Sequence, residues 1–243
     1  MTTAPAADQL RLLDVQELDT HLAKLAHQRK THPTLATLAE LTARAEDLQR
    51  AKTAAEVLIS DTRRELTKAE TDVEQVSNRA ARNQQRLDAG QGSAKDLQAL
   101  GHELESLAKR QSDLEEVELE VMERLETAEK DAAAVNEQLE ALQADIARTE
   151  AERDEALGAL EAEATETQAK RETAAAGIDD TLLALYERVR TQTGGLAAVA
   201  LRGMATEGVQ VPLSLTEKAA IADAGPDDVI RSEDYGYILV RVS

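Results

Sequence analysis

From residue 35 to residue 87, seam positions recur at alternating steps of three and four. They begin Leu35, Leu38, Thr42, Ala45, Leu48 and close Val76, Ala80, Asn83, Leu87, and twelve of the sixteen are apolar. A repeat this long specifies a helix whose apolar edge must be covered by another helix. The same spacing resumes at Leu97, Leu100, Leu104 and Leu107 and runs through Gln111, Glu118, Val121 and Leu142 to Ile146. Between the two runs lies Asp88-Ala89-Gly90-Gln91-Gly92-Ser93-Ala94-Lys95-Asp96. Two glycines here weaken a helix and allow left-handed backbone angles. Ser93 followed three residues later by Asp96 reads as an N-cap close to a capping box. One helix therefore ends near Ala89 and the next starts near Ala94. So short a loop joins antiparallel neighbours, and the expectation is a coiled-coil hairpin with its tip near 89–95. A parallel dimer of straight helices would have no use for the double-glycine break. Each arm is long: residues 35 to 87 span about 80 Å at 1.5 Å per residue. Lys52 and Asn83 are polar interruptions of the kind that set register.

Composition agrees with a rod. The 243 residues include three Tyr and no Phe, Trp or Cys, and 31% are charged. Few aromatics means little of the surface that usually fills a large globular core. The absence of thiols excludes disulfides and thiolate chemistry. No apolar run or leader pattern points to a membrane or to export, so the expectation is a cytoplasmic protein. The net charge is −19 and unevenly spread: residues 34–88 hold ten acids and nine bases, residues 101–175 twenty-two acids and eight bases. Near the tip the sign reverses, with Arg79, Arg82, Arg86, Lys95, Lys109 and Arg110 close to Asp88 and Asp96. With Ser93 and Asp96 these are the candidate residues for a partner or for nucleic acid, against the plain reading of a solubilising face. Base stacking is not expected there, because the tip has no ring. His102 and the acids Glu115, Glu116, Glu118 and Glu120 read as solvated helix positions rather than ligands. No phosphate loop, nucleophile–base pairing or metal spacing is visible, so the chain reads as non-enzymatic.

In chain order, residues 1 to 7 are expected to fray. A first helix over Asp8 to Arg29 carries Val15, Leu18, Leu22 and Leu25 to a break at His32-Pro33, and it should pack on roughly 150 to 172. The second arm ends near Ala176-Gly177. A helix capped by Asp179 or Asp180 presents Leu182, Leu185, Tyr186 and Val189 and stops at Gly194-Gly195. That divides the chain into a helical part, 1–193, and a small tail, 196–243. The tail contains eleven β-branched residues. Val209, Val211, Leu213 and Leu215 are expected on one face of a strand, Thr216 to Ala222 as a short helix, and Val229 to Arg231 with Tyr237 to Val242 as a β-hairpin around a turn at Ser232 to Gly236.

The arrangement resembles a bacterial family of long coiled-coil hairpins followed by a C4-type zinc ribbon, described as zinc-ribbon nucleic-acid-binding proteins. The resemblance rests on the stretch Gln9 to Gln16, the tip Ser93 to Leu100 running into Glu103 to Leu107, the stretches Asp113 to Glu116 and Val121 to Arg124, and the tail segments Pro226 to Arg231 and Ile238 to Arg241. It implies a mainly α fold with a small β-containing, degenerate ribbon-like C-terminal domain. It also implies nucleic acid (RNA or DNA) or the transcription machinery as partner. The alternative is a protein–protein adaptor or chaperone-like scaffold that holds a protein at the tip or rod. The family's two Cys-x-x-Cys knuckles would fall on Thr206 and Val209, and on Ser232 and Tyr235. None of these supplies a thiolate or imidazole, so no metal or other cofactor is expected here although zinc is expected of the family. Val209 and Tyr235 would put apolar bulk where the metal was, which predicts a small hydrophobic core there and unfolding of the tail by Val209→Asp.

Overall fold

The computed structural model describes residues 2–242; Met1 of the expected frayed end and Ser243 of the tail lie outside the described residues. Its helices are α1 (Ala6–Lys30), α2 (Pro33–Asp88), α3 (Ala94–Ala175), α4 (Asp180–Thr193) and α5 (Leu215–Asp223), and its strands β1 (Ala198–Arg202), β2 (Ala205–Thr206), β3 (Ile230–Arg231) and β4 (Ile238–Val242). The chain separates into two compact units. One takes in the chain up to Ala36 and from Glu150 on; the other runs from Thr37 to Thr149.

The second unit is the helical hairpin. Leu38, Thr62, Ala69, Val76 and Asn83 of α2 and Leu100, Leu107, Val121, Ala128 and Leu139 of α3 are buried. The direction is fixed by ion pairs between the arms. Arg79 Nε donates to Glu103 at 2.9 Å, and Arg63 pairs with Glu129 at 2.6 Å. As the α2 partner recedes from the tip, the α3 partner does too, so the arms are antiparallel. One seam position is corrected. Thr42 is exposed and the half-buried Leu41 takes its layer, because either residue satisfies the three-four spacing and the leucine buries more apolar surface. At the tip, α2 ends with Gly90 at φ +60°, and Gln91 N–H returns to Arg86 O at 3.3 Å. Asp96 N–H donates to Ser93 Oγ at 3.3 Å while Ser93 N–H donates to Asp96 Oδ2 at 2.9 Å. That is the reciprocal cap the sequence predicts.

The first unit is built on a four-stranded sheet of order β2-β1-β4-β3. β1 and β4 run parallel, Val199 opposite Leu239, and α5 lies in the connection between them. Ala198, Ile238 and Val240 pack on Leu12 and Val15 of α1 and Leu182, Tyr186 and Val189 of α4. Val199, Leu201 and Leu239 point the other way, onto Ile221 of α5. The alternation is that of a strand buried on both faces.

Three expectations are corrected here. Residues 2 to 6 are not frayed: Ala4 is buried, Ala4 N–H donates to Asp227 O at 2.8 Å and Val229 N–H to Thr2 O at 3.0 Å. Backbone pairing with the 227–229 loop satisfies groups that would otherwise stay solvated. Residues 209–215 form no strand. Gly208 turns the chain at φ +78°, Thr206 Oγ1 accepts from Val211 N–H at 2.9 Å, and Pro212 lacks a donor to continue a ladder. The expected hairpin of 229–231 with 237–242 is present as β3 and β4, and the strand not expected is β1, which shares the centre of the sheet with β4 and whose Ala-Val-Ala-Leu-Arg run shows no alternation.

Val209 and Tyr235 also leave no core between them; they are 42% and 51% exposed. The apolar centre of the tail is the cluster on Leu201, Ile221 and Leu239, because burial goes to the side chains that alternate off the paired strands. The expectation that Val209→Asp unfolds the tail is therefore withdrawn.

Candidate functional site

Of the eight tip residues singled out by sequence, the hairpin brings some together and separates others. Arg79, Arg82 and Arg110 line one groove between α2 and α3, floored by Val76 and Leu107 and edged by Gln75 and Asn78. Arg86 follows Arg79 by one heptad and so presents to the same side. Arg79 is neutralised by Glu103. Among the described residues, Arg82, Arg86 and Arg110 form no ion pair. Ser93 and Asp96 are engaged in the cap, and the Asp96 carboxyl is held below the usual carboxylate range, first by the Ser93 hydroxyl and backbone N–H and then by the Arg86 charge. Lys95 and Lys109 lie outside the groove's lining. Within the seam, between Arg79 and Arg86, Asn83 is buried, and its Nδ2 is the one buried side-chain polar atom among the described residues without a hydrogen-bond partner. A buried donor without an acceptor costs about 1–3 kcal/mol, so this layer is the hairpin's least settled.

The four positions where a zinc site would fall do not fit a metal. Thr206 Oγ1 donates to Val209 O at 2.7 Å and accepts from Val211 N–H; Ser232 Oγ accepts from Tyr237 N–H at 3.1 Å. The two hydroxyls are used up in holding their turns, and Val209 and Tyr235 face solvent with no donor chemistry suited to zinc. The Tyr235 ring stacks on Tyr237 with centroids 5.4 Å apart. Among the described residues no group of three or more His, Cys, Asp or Glu is placed to hold a metal ion, and no helix is long and apolar enough to cross a membrane.

A third constellation was missed by sequence reasoning. Asp19 of α1, its side chain 3% exposed, accepts from Arg171 Nε at 3.1 Å, Arg190 Nη1 at 3.3 Å and Tyr186 Oη at 2.8 Å. Glu187 joins both arginines. Burial, then the Asp19 hydrogen bond and charge, push the Tyr186 phenol pKa up. Burial opposes the Arg171 charge, but its bonds to Asp19 and Glu187 more than offset this and raise its pKa. Nearby, Gln16 Oε1 accepts from Ala197 and Ala198 N–H at 2.6 and 3.1 Å, and its Nε2 donates to Gly195 O at 3.0 Å. These groups tie α1 to α3, α4 and the start of β1, and every one has a partner of its own chain, so their work is cohesion. The only sequence signal was polar residues at the buried spacing of α1, a pattern that ordinary surface helices share.

Comparison with known proteins places the hairpin. A family model described as the CT398-like coiled coil hairpin domain matches residues 15–194. An uncharacterised protein of Mycobacterium tuberculosis is 32% identical over 239 residues, 98% of this chain and 97% of the relative. A solved Mycobacterium smegmatis structure is similar at 31% identity and TM-score 0.87, covering 99% of this chain and all of the other. The structure of CT398 from Chlamydia trachomatis shares the fold at 18% identity and TM-score 0.72, over 97% of this chain and 98% of the other. With three-quarters of its length matched by that family model, and a relative of this identity along nearly the whole chain, the protein belongs to the CT398-like coiled-coil hairpin family.

Proposed function

We propose that the protein is a non-enzymatic scaffold that works by holding another protein against its hairpin. The observation that carries this reading is a set of large apolar side chains off the seam of the Thr37–Thr149 unit: Val57, Leu58, Val117, Leu119 and Met122 are each about half exposed. Flanking and outer positions of a coiled coil normally carry charge. Here Leu119 and Met122, one helical turn apart, share a face, and Leu58 stands beside Arg124 and Ala128 of the facing arm. Nucleic acid is the less supported partner, since residues 37–149 contain no Phe, Tyr or Trp for stacking and their charge is mainly acidic away from the tip. The tail is read as a ribbon remnant in which the Thr206 and Ser232 hydroxyls hold turns that thiolates hold in the zinc-bearing family.

A photo-crosslinking amino acid at Leu58 or at Met122, with Glu46 as a control position, tests the reading in cells. Discrete protein adducts from the first two and none from the control are expected. Adducts to nucleic acid, or none at either apolar position, would overturn it.

A further inference from the structure

We propose that the groove near the hairpin tip binds a short acidic polypeptide segment, deepening the scaffold reading on which it rests by naming the partner's chemistry. Three features converge on one face. Arg82, Arg86 and Arg110 are exposed cations without an ion-pair partner among the described residues, while Arg79 beside them is already paired with Glu103. The groove floor is Val76 and Leu107, which the seam buries, so the site meets a partner chiefly with its cationic walls. One heptad from Val76 toward the tip lies the Asn83 layer, whose buried Nδ2 has no hydrogen-bond partner.

The size and surroundings of the patch select the partner. From Val76 to Arg86 the face is eleven residues, about 15 Å of helix, matched by roughly three turns of an acidic helix. Immediately beyond Arg110, residues 113–126 hold seven acids and one base. At physiological salt charges act over about 8 Å, so a continuous polyanion crossing the groove would meet that acidic stretch within its own screening length. A nucleic acid carries charge at every step of its length; a polypeptide can confine its carboxylates to the groove. The groove's lining has no aromatic ring to supply the stacking that would compensate a single strand.

The test uses the full chain and two probes of equal formal charge: a fluorescein-labelled glutamate-rich helical peptide of roughly 15 residues and a single-stranded RNA. At low salt the peptide is expected to bind, and its affinity to fall about tenfold or more in the double variant Arg82→Glu/Arg110→Glu and again on raising salt. Lys24→Glu, in the other unit, should leave it unchanged. Circular dichroism should show all variants folded, since the altered side chains are exposed. Hydrogen exchange should slow around residues 79–86 and 100–110 when peptide is added. Peptide affinity indifferent to the arginine reversal, protection that appears elsewhere, RNA binding tighter than the peptide, or salt-sensitive self-association without peptide binding would each overturn the proposal. Should it fail while Met122 still crosslinks to protein, the acidic-segment site alone is wrong; loss of both removes the scaffold reading as well.

Discussion

Asp19 shows how much of the chain's cohesion rests on single polar side chains. Its carboxylate is shared by two guanidinium groups and a phenol. Asp19→Ala would leave Arg171 buried among half-satisfied groups, and the expected loss is about 3 kcal/mol, read as a lower urea midpoint. Tyr186→Phe removes one bond to a charged acceptor and should cost about 2 kcal/mol. An unchanged midpoint in both would show that the cluster contributes no net stability. Glu217 holds two segments of the tail together in the same way. It caps α5 through Ser214 N–H and accepts Glu233 N–H at 2.8 Å, and these bonds hold its carboxyl below the usual range, the Glu233 contact first. Since the folded pKa lies below the unfolded one, near 4.3, the contribution is complete above that pH and lost as pH falls through the folded value. Amide protection around residues 214–217 and 233 should therefore fall as pH drops below the unfolded value, and Glu217→Gln should remove that pH dependence.

At the scale of elements, the hairpin was legible because its code is periodic and redundant. A slip at one layer, such as Leu41 for Thr42, changes nothing else. The break, the cap and the arms' direction all follow from spacing plus two glycines and a Ser-x-x-Asp. Spin labels at Leu66 and Val117 should lie on the order of 10–20 Å apart within one molecule, given arms about 8–10 Å axis to axis; a broad or long distance would reject the antiparallel arrangement. Asn83→Leu should raise stability by about 1–2 kcal/mol by removing a buried donor without an acceptor, and a fall would mean the amide has a partner in solution. The tail was harder to read for a physical reason. β1 is buried on both faces, so its sequence lacks the alternation that marks a half-exposed strand, whereas Val209, Val211 and Leu213 alternate and form a loop that leads into α5 at Leu215. Parallel pairing of β1 with β4 is set by helices covering both sides, which no local pattern announces. Of the candidate site, the tip arginines were visible as charge, but which of them share a groove depends on α3 lying beside α2. The ionic cluster was invisible because its members are up to 171 residues apart.

For the molecule as a whole, the decisive joints lie between sequence-distant segments of the unit that contains both chain ends. Gln16→Leu should expose this: it strips acceptors from Ala197 and Ala198 and should loosen the tail by about 2–3 kcal/mol, speeding exchange across β1 and β4, while Val209→Asp should leave both strands as protected as before. The pairing of Thr2 and Ala4 with the 227–229 loop carries a further implication for how the protein is born. During translation residues 2–4 are made more than 200 residues before their partners in the 227–229 loop. The hairpin's local contacts can form on the emerging nascent chain, but this clasp waits for residues 227–229, so a chain stalled before them would leave residues 2–4 unpaired and open to protease.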